Sequence, residues 1–229
     1  MSKQVLQRIA NKDMKECAKL ESSNIYVNFD EEDITKASAM IVGPKDTPYF
    51  GGLFFFRIKF PVNYPFSPPL VSYWSTSNIR IHPNLYRGIP SKNFEGKVCL
   101  SVLNTWSGPK WTTIMDLSSI LLIIQSIMDD KPLFHEPGFE KSPQSTIDLY
   151  NNMIEGDVLK QICNHYNSFP GDFSCFKEVG IKHIIENKSK HLDILNKKDT
   201  KFKQMSFKIY NLISTVNYEE LSRLMNKFE

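Results

Sequence analysis

Cys99 lies in the segment 96–103 (GKVCLSVL), fifteen residues after the asparagine of the triplet His82-Pro83-Asn84. The thiolate of a cysteine is a strong nucleophile that can carry an acyl group as a thioester. When such a thioester is attacked, negative charge develops on its carbonyl oxygen, and a fixed side-chain amide N–H can stabilise that charge. We therefore take Cys99 as the candidate nucleophile, which this chemistry requires at an exposed loop position, and Asn84 as its candidate amide donor.

The same residues also have structural interpretations, which the sequence leaves open. A lone cysteine followed by Leu-Ser-Val-Leu is typical of a small buried residue, and an asparagine after proline is typical of a turn that bonds its own backbone. His82 fits a structural hydrogen-bond partner better than a general base. Because no histidine is evidently spaced to lie beside Cys99, a papain-like Cys–His pair is poorly supported. An enzyme that receives an already activated acyl group does not need one.

The residues ahead of the triplet predict an amphipathic helix followed by an antiparallel sheet. Within residues 5–20, apolar side chains fall on one helical arc, and the basic side chains fall largely off it. The apolar arc comprises Leu6, Ile9, Ala10, Met14, Cys17 and Leu20. Strand patterns follow at 25–29, 37–42, 52–60 and 70–74, and the short loops between them favour an antiparallel meander.

The third strand pattern and the segments after it lead to three further expectations. In residues 52–60, side chains alternate between a buried face and an exposed face that carries Phe55. The proline-rich segment 60–69 (FPVNYPFSPP) predicts a rigid surface loop, in which the X–Pro bond after Tyr64 is either cis or trans. Residues 117–128 are apolar nearly all round and therefore predict a buried helix.

From residue 145 onward the sequence shows helical periods and no strand patterns. Helices are predicted within 145–166, 176–195 and 204–228. Residues 173–208 contain nine lysines against four acidic residues, which suits either a solvated helical surface or a contact with an acidic partner. The histidines and cysteines of this part match no standard zinc spacing, so the sequence predicts no metal site.

The composition is that of an ordinary globular protein. The chain has 229 residues, of which 41% are hydrophobic and 23% charged. This length is enough for one core domain with an appendage or for two small domains. A net charge of +3 is too small to argue for nucleic-acid binding. No apolar run is long enough to span a bilayer, the N-terminus lacks a secretory signal, and the four cysteines form no CxxC pair. These features predict a protein of the reducing cytoplasm or nucleus that has no membrane partner.

The order of these signals closely resembles the ubiquitin-conjugating enzyme family, from about Leu6 to Glu140. The motifs that carry the resemblance are a basic N-terminal helix, a meander, YPFSPP, HPN, GKVCLSVL, TWSGPKW, an apolar helix and HEPGFE. TWSGPKW and HEPGFE are similar to the extended members of that family. The resemblance implies an α+β ubiquitin-conjugating fold, with an N-terminal helix, a four-stranded antiparallel meander sheet, an active-site loop and a central buried helix. The core domain would be residues 1–144, and residues 145–229 would form a helical C-terminal extension.

The resemblance also implies the roles of the candidate residues. Cys99 would accept ubiquitin as a thioester from an activating enzyme and pass it to a lysine amine of a protein substrate. Asn84 would brace the active-site loop, stabilise the oxyanion, or do both, and His82 and Pro83 would support that loop. The enzyme would need no cofactor of its own, since ATP is used upstream by the activating enzyme.

Two contact surfaces follow from the same resemblance. The basic face at Arg8, Lys12 and Lys15 would meet the activating enzyme. Phe66 in YPFSPP and Trp111 in TWSGPKW would meet a ubiquitin ligase. The ligase-facing loop of the family commonly carries Ser-Pro after the tryptophan, whereas this chain has Thr-Thr. Ligase binding is therefore expected to be weak, altered or unnecessary.

Two further features concern the acceptor lysine and the active-site loop. An attacking lysine must be neutral although its reference pKa is about 10.4, so desolvation or a nearby carboxylate has to favour that form. Asp129, Asp130 and Glu136 are candidates for this carboxylate, or are solvated loop charges. Residues 87–95 are extra relative to the usual family spacing and predict a loop beside the active site. His135 stands where the related proteins tend to carry asparagine.

Two alternatives to an active ubiquitin-conjugating enzyme stay open. An inactive relative of the same fold would hold ubiquitin or a partner without transferring it, although Cys99 argues against this because such relatives generally lack the cysteine. Alternatively, the same chemistry would act on a ubiquitin-like modifier instead of ubiquitin, a choice that the sequence does not decide.

Overall fold

A computed structural model of the chain describes residues 2–88 and 96–229. The chain divides into two compact units: the first takes the described residues of 1–41, 54–76 and 84–127, and the second takes 42–53, 77–83 and 128–229. The units are built from interleaved segments, whereas the sequence predicts one boundary after residue 144; that boundary stays a prediction. Of the predicted extra loop 87–95, only Arg87 and Gly88 belong to the described residues.

The N-terminal helix is confirmed, but its buried face differs from the predicted arc. It runs as α1 (Lys3–Arg8), a π-helical segment (Ile9–Asp13) and α2 (Met14–Ala18). The buried positions are Val5, Ile9, Asp13, Cys17 and Leu20. Ala10 and Met14, which belong to the predicted apolar arc, are exposed. In a regular α-helix, side chains four residues apart point in directions that differ by about 40°, so a row at this spacing drifts around the helix. The π-helical segment, whose hydrogen bonds span five residues, has more residues in each turn. It therefore keeps Ile9 and Asp13 on the same face of the helix.

A five-stranded antiparallel sheet follows, in the order β1-β2-β3-β4-β5. Its strands are β1 (Ile25–Phe29), β2 (Lys36–Val42), β3 (Leu53–Lys59), β4 (Leu70–Trp74) and β5 (Gly96–Lys97). The first four strands are the predicted meander, which is thereby confirmed. The fifth has two residues and was not predicted. Because Tyr73 of β4 lies opposite Gly96, this pairing brings the chain to Cys99 in a defined register.

Strand β3 is buried along its predicted inner face and, in its first half, on the opposite face as well, whereas Lys59 at its end is exposed. Phe54, Phe56 and Ile58 are buried on the predicted inner face. Phe55, on the opposite face, is only 1% exposed, and its ring meets that of Trp74 edge-on with centroids 5.9 Å apart. The predicted exposure of this face is therefore wrong at Phe55, because the aromatic ring of the neighbouring strand packs against it.

The proline-rich segment and the central helix complete the first unit. Segment 60–69 is a loop in which the Tyr64–Pro65 peptide bond is cis. Helix α3 (Leu117–Ile127) is the predicted central helix, and the Asp116 carboxylate accepts a main-chain hydrogen bond from its first turn at 3.1 Å. Leu117, Ile120, Leu121 and Ile124 are fully buried. Leu122 is 41% exposed, so the prediction of a helix buried nearly all round is wrong for that face.

The predicted helical C-terminal extension is confirmed. It contains α4 (Gln144–Asn167), α5 (Lys177–Glu186), α6 (Lys188–Asn196) and α7 (Tyr218–Met225). The single helix predicted over 176–195 is two helices, which meet at Asn187. No helix within the described residues has both the length and the apolar character needed to cross a membrane.

A β-hairpin precedes α7, in a part of the chain for which the sequence predicts a helix over 204–228. Strands β6 (Phe202–Phe207) and β7 (Leu212–Asn217) pair in antiparallel register, and Asn211 in their turn has a φ of 51°. The buried side chains alternate along the two strands, as Met205 and Phe207 on the first and Ser214 and Val216 on the second. The helical prediction is therefore wrong for this segment, because its burial follows a period of two.

Candidate active site

Asn84 and Cys99 lie side by side on two antiparallel segments of the first unit. Leu85 and Val98 form a bridge between these segments, and the Cys99 N–H donates to the Asn84 carbonyl at 2.9 Å. The Asn84 side chain adds a second bond, in which Nδ2 donates to the Cys99 carbonyl at 2.7 Å. The structure therefore brings together the two residues that sequence analysis singled out for chemistry.

The approach to Cys99 passes through a position that only glycine can occupy. A Cβ atom on Gly96 would lie 2.2 Å from the Tyr86 carbonyl oxygen and 2.4 Å from the Tyr73 carbonyl oxygen. Both distances are far below van der Waals contact, and both oxygens belong to backbone that cannot rotate away. The glycine of GKVCLSVL thus determines where the chain runs immediately before Cys99.

Thr105 holds the turn that follows Cys99. Residues Ser101–Leu103 form a single 3-10 turn. The Thr105 hydroxyl accepts the Leu100 N–H at 2.9 Å and donates to the Val98 carbonyl at 2.9 Å. One side chain thus bonds the backbone on both sides of Cys99. Sequence reasoning missed this role, although threonine hydroxyls commonly bond nearby backbone groups in turns.

The structure contradicts the expectation that Cys99 is open to solvent, because the residue is 3% exposed. Its neighbours Val98 and Leu100 are 1% and 6% exposed, so the whole segment is packed. The physical reason is the bonding to Asn84 and Thr105, which holds the segment against the edge of the sheet instead of leaving it as an open loop.

His82 and Pro83 lie in the second unit, on the segment that leads into Asn84. Both are buried, and His82 is 0% exposed. The His82 and Tyr49 ring centroids are 6.3 Å apart, and the Tyr49 hydroxyl donates to the Ile81 carbonyl at 2.7 Å. This packing is compatible with the supporting role that the resemblance implies for His82.

The basic residues of the N-terminal helix are bound by the segment just before α3. The Arg8 guanidinium donates to two carbonyls of segment 113–115, at 2.8 and 3.2 Å. The Lys12 ammonium donates to a third carbonyl of that segment and lies 3.5 Å from the Asp116 carboxylate. Lys15 is exposed. The predicted activating-enzyme surface therefore combines one exposed lysine with two cations that already bind the backbone of this chain.

Phe66 and Trp111, the predicted ligase contacts, are close together but differ in exposure. Phe66 is 80% exposed. Trp111 is 8% exposed, its indole N–H donates to the Pro65 carbonyl at 2.7 Å, and its ring lies 6.0 Å from that of Tyr64. Trp111 thus anchors the loop that presents Phe66, and Phe66 alone of the pair offers a large exposed surface.

The three candidate carboxylates after α3 have different surroundings. The Asp129 carboxylate lies 2.8 Å from His135 Nε2. Burial raises the pKa of Asp129, but this hydrogen bond and one from a main-chain N–H outweigh it, so that the pKa lies below its ordinary value. Glu136 accepts the Tyr210 hydroxyl at 2.6 Å, and Asp130 is exposed. In the described part of the chain, no three His, Cys, Asp or Glu side chains are grouped to hold a metal ion.

A family model matches the part of the chain that contains these motifs. The sequence profile described as ubiquitin-conjugating enzyme matches residues 9–147, a span that covers more than half of the chain and includes Asn84 and Cys99. The chain belongs to the ubiquitin-conjugating enzyme family. This confirms the resemblance and the fold class that were predicted from the sequence.

Several curated members of the ubiquitin-conjugating enzyme family are similar to this chain. Ubiquitin-conjugating enzyme E2 Z of Homo sapiens is 44% identical over 139 residues, which are 59% of this chain and 37% of that protein. The same enzyme of Danio rerio is 42% identical over 178 residues, 76% of this chain and 51% of that protein. The dual E2 ubiquitin-conjugating enzyme/E3 ubiquitin-protein ligase BIRC6 of Homo sapiens is 39% identical over 180 residues, 71% of this chain and 3% of that protein.

The chain spans about half or less of the length of these relatives. Among solved structures, a Toxoplasma gondii ubiquitin-conjugating enzyme domain aligns with a TM-score of 0.49 at 24% identity, and the alignment covers 66% of this chain and 97% of that domain.

Asp13 is a structural residue of this family member that sequence reasoning missed. It is 0% exposed, and its carboxylate accepts the Tyr64 hydroxyl at 2.6 Å and the Leu117 N–H at 2.9 Å. Burial raises the pKa of Asp13 despite these two hydrogen bonds. The carboxylate thereby ties the N-terminal helix to the proline-rich loop and to the start of α3. The sequence offers one indication of this burial: Asp13 lies four residues from both Ile9 and Cys17, which are themselves buried on the inner face of the helix.

Proposed function

We propose that this chain is a ubiquitin-conjugating enzyme that accepts ubiquitin as a thioester on Cys99 and transfers it to a lysine amine of a protein substrate. The observation that carries the proposal is the double hydrogen bond between Asn84 and Cys99, in which the Asn84 carboxamide reaches the Cys99 carbonyl. Membership of the family supports it, because the matched span contains both residues.

Loading of Cys99 is a thioester exchange. The Cys99 thiolate attacks the carbonyl carbon of a ubiquitin thioester carried by the activating enzyme, a new C–S bond forms, and the thiolate of the activating enzyme leaves. No cofactor takes part in this step, because ATP is consumed earlier, when ubiquitin is activated. Since Cys99 is 3% exposed, its segment has to open towards solvent before loading, and this opening is part of the proposal.

Transfer from Cys99 is aminolysis. A neutral lysine amine attacks the thioester carbonyl, a C–N bond forms, the amine loses a proton to a base or to water, and Cys99 leaves as the thiolate. Negative charge on the attacked oxygen is stabilised by an amide donor, and Asn84 is the residue to which we assign this role. Its bond to the Cys99 carbonyl supports the second assigned role, bracing of the segment. Among the acidic candidates for orienting the lysine, Asp130 is exposed and therefore accessible to a substrate.

The proposed partners follow from the two surfaces described above. The activating enzyme would contact the N-terminal helix at Lys15, together with Arg8 and Lys12 if their bonds to segment 113–115 are exchanged. A ligase would contact the exposed ring of Phe66, whose loop Trp111 anchors through its hydrogen bond to the Pro65 carbonyl.

Charging of the purified protein tests the proposal. With ATP, ubiquitin and activating enzyme, we expect a thiol-sensitive ubiquitin adduct on the wild-type chain, a more stable oxyester on Cys99→Ser, and no adduct on Cys99→Ala. Cys175→Ala is the matched control, because Cys175 is exposed and would collect any adventitious adduct. The proposal is wrong if the adduct persists in Cys99→Ala or disappears in Cys175→Ala.

The identity of the modifier is part of the proposal and needs its own experiment. Ubiquitin and a panel of ubiquitin-like modifiers, each offered with its own activating enzyme, would be compared at equal concentrations. We expect Cys99 to be charged fastest with ubiquitin. If Cys99 is charged only with another modifier, that modifier is the one transferred, and the assignment of ubiquitin is wrong.

The burial of Cys99 favours one second candidate, an inactive binding module of the same fold. In that case the thiol would stay inaccessible, and ubiquitin would bind without a covalent bond. Reaction of the folded protein with a bulky maleimide separates the two functions, with the adduct located by peptide mapping. Modification of Cys99 supports the enzyme, whereas modification confined to Cys175, together with non-covalent ubiquitin binding, supports the binding module.

A further inference from the structure

Arg80 lies at the centre of a group of side chains that joins the segment ahead of Asn84 to the C-terminal extension. Its guanidinium donates to the Pro83 carbonyl, and it lies 3.8 Å from the Glu136 carboxylate and 4.6 Å from the centre of the Tyr210 ring. Its own carbonyl accepts the Tyr150 hydroxyl at 2.8 Å. The Arg80 cluster is defined as Arg80, Glu136, Tyr150, Phe207 and Tyr210, all within the second unit.

The aromatic members of the Arg80 cluster pack on one another. Tyr150 of α4 is 0% exposed and stacks on Phe207 of β6, with centroids 4.8 Å apart and 15° between the ring planes. Tyr210, in the hairpin turn, meets these two rings at 5.7 and 5.8 Å. Its hydroxyl donates to Glu136. Helix α4 thus supplies the Tyr150 hydroxyl, which bonds the main-chain carbonyl of Arg80. The hairpin supplies the Tyr210 hydroxyl, which bonds the carboxylate of Glu136.

The carbonyl that Arg80 binds belongs to the peptide bond between Pro83 and Asn84. A peptide unit is planar, so the direction of its oxygen determines the direction in which the chain enters Asn84. The proline ring restricts φ of Pro83 to about −65°, which leaves ψ as the torsion that turns this carbonyl. A hydrogen bond from a charged donor is stronger than one from a neutral donor, and the Arg80 bond therefore restricts that torsion.

We propose that Arg80 is a positioning residue for ubiquitin transfer, through which the C-terminal extension holds the backbone that carries Asn84. Arg80 acts on the Pro83 carbonyl, while Glu136 and Tyr210 keep the guanidinium in the orientation that reaches it. The inference rests on the proposed function, since its effect on the reaction is the placement of the Asn84 carboxamide during aminolysis. It assigns residues 145–229 a part in that reaction.

The chemistry of the guanidinium explains why arginine is suited to this position. Its planar guanidinium donates to the Pro83 carbonyl and pairs with the Glu136 carboxylate while one face packs on the Tyr210 ring, and a lysine ammonium cannot combine these contacts in the same geometry. The Arg80 and Glu136 side chains are 20% and 24% exposed, so water screens their pairing only in part. Arg80→Lys should therefore keep the charge and lose much of the orientation.

Single-turnover discharge of the ubiquitin-loaded protein to free lysine, over a range of lysine concentrations, tests the proposal. We expect Arg80→Met to lower the maximal rate at least about tenfold, without changing the lysine concentration that gives half-maximal rate. Arg80→Lys should restore part of the rate, and Tyr210→Phe, which keeps the ring, should lower it by a smaller factor. The matched controls are Arg223→Met, at an exposed arginine of α7, and Tyr166→Phe, whose hydroxyl bonds the far end of the chain.

Hydrogen exchange of segment 80–86 gives a readout that does not depend on activity. Exchange there should be faster in Arg80→Met and Tyr210→Phe and unchanged in Arg223→Met. Wild-type discharge rates in both cluster variants would overturn the proposal. If Arg80→Met discharges slowly while Tyr210→Phe behaves like the wild type, Arg80 is a positioning residue but the C-terminal extension does not hold it, and that part of the proposal is wrong. A cluster variant that melts early and has a higher half-maximal lysine concentration would show a merely structural role.

The failure of this inference is distinguishable from failure of the proposed function. If the wild-type chain forms no adduct on Cys99, the proposed function itself has failed. Hydrogen exchange then still tests whether Arg80 restrains the backbone of segment 80–86. If the wild-type chain loads and discharges while the cluster variants behave identically to it, the function stands and the positioning role of Arg80 is wrong.

Discussion

The Asn84 carboxamide donates a hydrogen bond of 2.7 Å to the main-chain carbonyl of Cys99, and the Cys99 N–H donates one of 2.9 Å to the carbonyl of Asn84. The two bonds run in opposite directions between the same two residues. They therefore hold the backbone of the candidate nucleophile against that of the candidate amide donor. A change in the Asn84 side chain should accordingly be felt at Cys99.

Asn84→Ala should slow ubiquitin transfer more than it reduces stability. Loss of an amide donor to a developing oxyanion typically costs about 100-fold or more in rate, whereas loss of one hydrogen bond typically costs about 1 kcal/mol of unfolding free energy. Single-turnover discharge to lysine and urea unfolding measure the two effects. Asn164→Ala, at an exposed position of α4, is the control. A discharge rate within about twofold of wild type would show that Asn84 acts as a brace only.

Asp157 should make the protein less stable as the pH rises. Burial raises the pKa of this carboxyl from 3.8 to about 6, against smaller opposing effects of a hydrogen bond from Ser77 and the charge of Lys160. The native state therefore binds the proton more tightly than the unfolded state, and stability falls as the pH rises from about 4 through about 6. Asp157→Asn should raise the unfolding free energy above that window by up to about 3 kcal/mol.

Urea unfolding near pH 4 and near pH 7.5 measures the contribution of Asp157. The variant should match the wild type at the lower pH and exceed it at the higher pH. Asp148→Asn, at an exposed position of the same helix, should leave the pH dependence unchanged. Parallel curves for the wild type and Asp157→Asn would contradict the assignment.

Asp13→Ala should destabilise the first unit strongly. The substitution leaves the Tyr64 hydroxyl and the Leu117 N–H without the carboxylate that both use, and each buried donor left unsatisfied costs about 1–3 kcal/mol. We expect a loss of about 2–4 kcal/mol in urea unfolding at neutral pH. Glu16→Ala, at a partly exposed position of α2, should change stability by less than about 0.5 kcal/mol. Equal effects of the two substitutions would show that the buried carboxylate is not needed.

Gly156→Ala should weaken the packing of α4 against the hairpin. In an exposed helix this substitution gains about 1 kcal/mol, but here the new Cβ would lie 2.6 Å from Val216 Cγ2, and Val216 is fully buried. Overpacking of this kind costs about 1–3 kcal/mol. In a double-mutant cycle, Val216→Ala should remove most of that cost. A Gly156→Ala chain more stable than wild type would contradict the close contact.

The sheet and the Asn84–Cys99 pairing were within reach of the sequence because both depend on local patterns. Alternating side chains such as Phe54 and Phe56 define a strand wherever one face is buried, and the order of several motifs placed Asn84 and Cys99 in one site. The fifth strand was missed because two residues, Gly96 and Lys97, carry no period.

The remaining differences come from packing between segments distant in the chain. An aspartate at position 13 is polar by composition and buried only because Tyr64 and Leu117 supply donors from elsewhere. Cys99 is buried because Thr105 and Asn84 close its segment, which no local pattern reports. The hairpin that contains Val216 was assigned to a helix because its apolar spacing fits a helical period as well.

Three of the four thiols, those of Cys17, Cys99 and Cys163, are buried, and that of Cys175 is exposed. Alkylation followed over time should therefore begin with a rapid phase at Cys175. Any later phase at Cys99 has to wait for its segment to open, so its rate relative to that of a freely accessible thiol reports the population of the open form. The folded chain thus carries an internal standard against which the opening of its own nucleophile can be timed.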